Sequence, residues 1–219
     1  MSTPVRVSPL TDVQVAHAAR WVDLEDMPSV AAFAGESEAH LAVVAIGDLS
    51  FRRRTGLKGP GAAAALADAG LATPARANSW CRSEGALVAR LGLTEYLVED
   101  SAGGTAVSRV LALPAAADVY PVPRYDAALV VAGPQAIDLF RQTCAVDMAT
   151  LDAAGGALAL TSMVGVGVTV AAVMTPAGVS YRVWCDGTYG GYLWDTLCGV
   201  AQEMGGGWLG SESLSRVGF

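Results

Sequence analysis

Leu57-Lys58-Gly59-Pro60-Gly61-Ala62-Ala63-Ala64-Ala65-Leu66 returns 74 positions later as Val131-Ala132-Gly133-Pro134-Gln135-Ala136-Ile137-Asp138-Leu139-Phe140. In each copy an apolar, strand-like residue leads through one residue into Gly-Pro, then another residue, then an alanine that opens an apolar helix. The correspondence extends downstream, where Glu95-Tyr96-Leu97-Val98-Glu99-Asp100 matches Ser180-Tyr181-Arg182-Val183-Trp184-Cys185-Asp186 as similar strands. Two copies of one strand-helix-hairpin unit predict a duplicated fold, its halves related by a pseudo-twofold rotation. Each Gly-Pro reads as a helix start: proline loses no hydrogen bond in a first turn, and Gly59 and Gly133 serve as permissive caps. A phosphate-binding loop would need a Gly-Lys-Ser/Thr ending or a full spaced glycine set, and neither copy has one.

Composition narrows the function classes. The 219 residues are 53% apolar and 16% charged with a mean hydropathy of +0.40, which predicts that a partner covers part of the surface. The net charge of −7 argues against nucleic acid, whose phosphates draw on clustered Lys and Arg. The one basic run, Arg52-Arg53-Arg54, is read as a solvated or interfacial strand edge, since neighbouring strand residues point to opposite faces. Cys81, Cys144, Cys185 and Cys198 show no metal-binding spacing and read as reduced, mostly buried thiols. His17 and His40 are the only histidines, and no nucleophile motif accompanies them.

Residues 153–181 carry no charge, yet Val164, Val166, Val168 and Val170 alternate with small residues at a period of two, which is a strand pattern and not a membrane helix. Turn residues at Thr175-Pro176-Ala177-Gly178 and the run Tyr181–Cys185 complete a long hairpin, Leu158–Val173 with Ser180–Cys185. The N-terminus lacks the apolar stretch of a secretory signal, so a cytoplasmic location is expected.

Along the chain, residues 1–40 read as an extended segment with a short helix from Thr11 to Trp21, 41–114 as a first half-domain, and 115–219 as a second half-domain closed by a helix over Tyr189–Met204. Prolines between Pro114 and Asp126 mark the boundary. Antiparallel hairpins alternating with helices give an α+β class.

Ser8-Pro9-Leu10, Asp48-Leu49-Ser50, Gly56-Leu57-Lys58-Gly59-Pro60-Gly61-Ala62 and the run Asp186-Gly-Thr-Tyr-Gly-Gly-Tyr-Leu-Trp194, in this order and at this chain length, resemble the gamma subunit of heterotetrameric sarcosine oxidase. That family shares the fold of the tetrahydrofolate-dependent aminomethyltransferases, the T-protein of glycine cleavage among them. The resemblance implies a duplicated, T-protein-like folate-binding fold. It also implies larger flavin-containing alpha and beta subunits and a small delta subunit as partners, with FAD, FMN, NAD and tetrahydrofolate held on those chains.

The resemblance further implies a hairpin turn carrying an aspartate that works on the folate-bound one-carbon unit. The corresponding stretch here, Ser162–Val170, has no acid, and a carboxylate is what a cationic iminium and its proton transfer require. Val146-Asp147 matches the family's Asn-Asp only in part and reads as a helix C-terminal or turn residue. Asp186 and Tyr189 stand where they could face a pocket, but Asp186 reads as a helix-leading acid, and Trp184, Trp194 and Trp208 read as core or interface aromatics rather than a pterin stack. No catalytic, cofactor-binding or metal-binding residue is therefore assigned. The expected function is a cofactor-free accessory subunit of an oxidase that demethylates sarcosine or a related N-methyl amine. The alternative is a free-standing tetrahydrofolate-dependent aminomethyltransferase, which the missing acid disfavours.

Overall fold

The computed structural model describes residues 6–176, 178–216 and 218–219. The chain divides into two compact units, one built from Met1–Phe51, Asp126–Ala154 and Ala159–Phe219, the other from Arg52–Tyr125 with Gly155–Leu158. In chain order the elements are α1 (Thr11–Gln14), β1 (Ala18–Leu24), β2 (Met27–Phe33), β3 (Ala45–Asp48), β4 (Arg54–Lys58), α2 (Ala62–Asp68), β5 (Ser79–Ser83), β6 (Ala86–Arg90), β7 (Glu95–Glu99) and α3 (Ala106–Leu111). They continue with β8 (Tyr120–Pro123), β9 (Ala127–Ala132), α4 (Ala136–Thr143), β10 (Leu158–Met163), β11 (Val166–Thr175), β12 (Gly178–Cys185), α5 (Gly190–Glu203), β13 (Gly207–Leu209) and α6 (Ser211–Arg216). The class is α+β, as the alternation of hairpins and helices predicts.

The two sheets repeat one plan. The second unit's strand order is β5-β6-β7-β4-β8, and the first unit's is β10-β11-β12-β9-β3 followed by β13. In both, three consecutive strands lie side by side, the strand that precedes Gly-Pro joins the third of them, and a fifth strand covers its other edge. Registers agree too: Leu57 pairs with Tyr96 as Val131 pairs with Tyr181. The fifth strands are exchanged in sequence. β3 comes just before β4 but pairs with β9, while β8 comes just before β9 but pairs with β4.

The Gly-Pro motif is a turn ahead of each helix. Ala62 N–H donates to the Gly59 carbonyl and Ala136 N–H to the Gly133 carbonyl, both at 3.1 Å, and the caps are Gly61 and Gln135, not the glycines before proline. Gly59 and Gly133 have φ of +118° and +111°, and a Cβ on either would stand 2.3 Å from the Asp118 carbonyl oxygen or 2.6 Å from that of Val43. Asp118 lies two residues before β8 and Val43 two before β3, so both glycines serve the same close approach to an exchanged strand.

Burial follows these patterns. All six residues of β9 are buried, as a central strand covered on both faces must be. Leu129, Val131, Val170, Val183, Phe140, Leu193, Trp194 and Leu197 form one core, and Leu57, Leu66, Val88, Tyr96, Val98, Val107 and Val110 the other. Among the described residues no helix is long and apolar enough to cross a membrane.

Three segments depart from the sequence reading. The first forty residues hold a β1–β2 hairpin, turned at Glu25-Asp26 with φ of 50° and 63°. Pro28 inside β2 and the lack of a glycine at the turn concealed it. Leu158–Val173 is two strands, because Val164 (φ 45°) and Gly165 (φ 85°) make a two-residue turn inside the valine alternation. Arg52-Arg53-Arg54 is not a solvated edge: Arg52 is buried, and the Arg54 side chain is enclosed opposite Glu99 in the β4–β7 ladder.

Gly133→Ala should lower unfolding stability by about 1–3 kcal/mol from backbone strain alone, with the carbonyl clash added. Gly199→Ala, inside α5 with nothing within 4 Å of the new Cβ, should raise it by about 0.5–1 kcal/mol. Urea denaturation of the two variants checks both signs.

Candidate functional site

The turn where the family resemblance calls for an acid is Met163-Val164-Gly165-Val166. It is tied on two sides within the first unit. Val164 N–H donates to the Thr143 carbonyl at the end of α4 (2.7 Å), Ala145 N–H donates to the Ser162 carbonyl (3.1 Å), and Tyr192 Oη on α5 donates to the Val164 carbonyl (3.2 Å). These bonds hold the turn between α4 and α5 with backbone carbonyls and aliphatic side chains, and no carboxylate belongs to it.

The two acids that the sequence offered for this region, Asp147 and Asp186, are turn residues. Asp147 accepts from Ala149 N–H at 3.0 Å and caps the short turn Met148–Thr150. Asp186 accepts from the Thr188 hydroxyl (2.6 Å) and the Thr188 N–H (2.8 Å), capping Gly187–Tyr189 ahead of α5. Those hydrogen bonds, the hydroxyl's first, lower the Asp186 carboxyl below the ordinary range and keep it ionised.

The indoles are committed elsewhere. Trp184 and Trp194 are 3% and 2% exposed within the fold, Trp194 lies 5.8 Å from the Phe33 ring, and Trp208 packs on both Phe33 and His17. His40 Nδ1 lies 3.4 Å from the Trp208 carbonyl, so both histidines flank β13. Tyr189, by contrast, is exposed, as is Tyr192, which sequence reasoning did not single out although it stands three residues further along one helix. A folate site built on a carboxylate and stacking indoles does not fit these residues.

Polar residues whose pairing the sequence did not show are brought together in two places. Asp48 Oδ2 accepts from Ser8 Oγ (2.8 Å) and Gln14 Nε2 (3.2 Å), its Oδ1 accepts from Ser50 N–H (2.7 Å), and Ser50 Oγ accepts from Ala128 N–H (3.1 Å). The Ser8-Pro9-Leu10 and Asp48-Leu49-Ser50 motifs thus meet as one structural clasp on β3 and β9. In the second unit, the Arg54–Glu99 ion pair (3.2 Å) is buried with both side chains 3% exposed, and Asp100 Oδ1 accepts from Val107 N–H at the start of α3 (3.1 Å). Pairing across 45 residues leaves no local trace in sequence.

All four cysteines are free. Burial, aided by Asp126 and Asp186, pushes the Cys185 thiol up to about 12, and burial likewise raises Cys198 and Cys81. Among the described residues no group of three or more His, Cys, Asp or Glu is placed to hold a metal ion.

Two outcomes follow. Arg54→Met should cost about 3–5 kcal/mol because it removes one partner of a buried ion pair, and the Arg54→Met/Glu99→Leu double variant should recover much of that loss in denaturant titration. At pH 8, a thiol-alkylating reagent should label Cys185 and Cys198 only after denaturation, read by peptide mass.

No protein-family model and no curated protein matches the chain. Among solved structures, glycine cleavage system aminomethyltransferase T from Bartonella henselae aligns with a TM-score of 0.75 at 12% identity over 98% of this chain, which spans 62% of that protein's length. A chain of heterotetrameric sarcosine oxidase from Corynebacterium sp. U-96, in complex with pyrrole 2-carboxylate, aligns with a TM-score of 0.66 at 21% identity, over 92% of this chain and 97% of that one. At these identities the likeness is one of fold. Together with the duplicated sheets, it establishes that the chain has the aminomethyltransferase-like folate-binding fold.

Proposed function

We propose that this chain is the accessory, gamma-type subunit of a sarcosine oxidase-like flavoenzyme acting on sarcosine or a related N-methyl amine. The observation that carries this reading is the extent of the match: the alignment spans 97% of one chain of the heterotetrameric oxidase, against 62% of the free aminomethyltransferase. The Val164 turn supports it, because the proton transfer and cation stabilisation of one-carbon chemistry need a carboxylate that this turn lacks. On this reading the chain contributes folded surface to the assembly. Flavins, NAD and tetrahydrofolate belong to the partner chains, of alpha, beta and delta type, and the one-carbon unit is passed on there.

The isolated chain should carry no flavin absorbance and catalyse no folate-dependent transfer. Asp147→Asn and Asp186→Asn should leave oxygen uptake with sarcosine nearly unchanged, measured on complexes whose assembly is verified by intact mass. Loss of a general acid or base lowers turnover by a factor of about 10² to 10⁴, so a hundredfold drop in an intact complex would return the chain to the catalytic class. Folate-dependent aminomethyl transfer by the chain alone would favour the free-standing enzyme.

A further inference from the structure

Asp186, Tyr189, Tyr192 and Asp195 follow one another at intervals of three residues across the start of α5. That spacing places them as successive neighbours on the helix surface. All four are exposed, the tyrosines at 56% and 55%. The bond from Tyr192 Oη to the Val164 carbonyl, and those from the Val164 turn to Thr143 and Ala145, join this stripe to the exposed Val146 and to Asp147. Two exposed tyrosines thus stand between Asp186 and Asp195, tied through the Val164 turn to the segment that carries Val146 and Asp147.

Charge defines what fits there. The first unit holds fifteen of the 21 acidic residues and five of the fourteen basic ones. Each of those five arginines is already engaged: Arg6 on the Glu25 and Phe51 carbonyls, Arg20 with Glu212, Arg141 with Asp138, Arg182 over the Phe219 ring and Arg216 with Glu38. Among the described residues none of these arginines pairs with Asp147, Asp186 or Asp195, and Asp186 is held ionised by Thr188. The same patch of a second copy would set like charges against like, which opposes self-pairing.

We propose that this face of α5 docks a partner protein whose contact surface is apolar at its centre and carries arginine or lysine at its rim. Resting on the accessory-subunit reading, the proposal names the flavin-bearing partner as the occupant. Tyrosines supply large contact area at low entropic cost and anchor interfaces, while rim carboxylates steer association and set its salt dependence.

The test uses the full chain, affinity-tagged in its source organism and isolated with the flavoprotein that accompanies it, followed by hydroxyl-radical footprinting and affinity measurement. Tyr189 and Tyr192 should be protected in the complex and oxidised in the free chain. The Tyr189→Ser/Tyr192→Ser variant should weaken association by roughly a hundredfold or more. Asp186→Asn/Asp195→Asn should weaken it by about tenfold at low salt and flatten its salt dependence. Tyr120→Ser with Tyr125→Ser, at exposed tyrosines of the second unit, should leave it unchanged. An active flavin complex with both tyrosines unprotected, or with affinity indifferent to these variants, overturns the docking face and leaves the subunit reading standing. Protection by a partner without flavin supports the docking face and overturns the oxidase reading. Protection arising only from self-association, shown by sedimentation, overturns the proposal, and recovery of the chain with no partner overturns both.

Discussion

A glycine Cα pressed against a backbone carbonyl, made twice, is the constraint on which the fold turns. Gly59 against Asp118 and Gly133 against Val43 leave no room for a side chain, and each contact brings the strand before Gly-Pro alongside the segment leading into an exchanged fifth strand. With that approach fixed, β4 and β9 become the strands paired on both edges, and the helices that follow them pack over their own sheets. Duplication explains why one local geometry recurs with so little identity between copies: the requirement is steric, and only glycine meets it at positive φ beside a carbonyl.

The copies then diverge where sterics leave freedom. Arg54 opposite Glu99 in β4–β7 corresponds to Ala128 opposite Trp184 in β9–β12. One copy fills the position with an ion pair whose burial is costly unless well met, the other with an indole. Interchangeable solutions at one register are what a shared backbone with independent packing allows. The surfaces diverge as well, since acids concentrate in one unit and basic residues in the other.

What could be read from sequence was what local geometry dictates. The Gly-Pro repeats, the paired strands around Tyr96 and Tyr181 and the closing helix were visible because turn sterics and apolar periodicity act over a few residues. β8 was hidden by Pro121 and Pro123, which are tolerable only because that strand lies at a sheet edge, and β13 by its three-residue length. At the candidate site, Asp147, read as a helix C-terminal or turn residue, and Asp186, read as a helix-leading acid, each cap a short turn, the second just ahead of α5. The Ser8–Asp48 clasp and the Arg54–Glu99 pair were not visible, because long-range partners follow from topology and not from pattern. Tyr192 escaped attention because a tyrosine in an amphipathic helix carries no mark of its own exposure.

Strand exchange has a further consequence during synthesis. β3 emerges early, yet the strands on its two sides are β9 and β13, the latter pairing in parallel through Ala45 and Gly207, about 160 residues later. The second unit's five strands lie within one uninterrupted stretch and can condense while the ribosome is still working. The first unit's sheet cannot close until β13 has also left the exit tunnel. Until then Ile46 and its neighbours present two open hydrogen-bonding edges, so the nascent chain passes through a long window in which chaperone capture competes with aggregation.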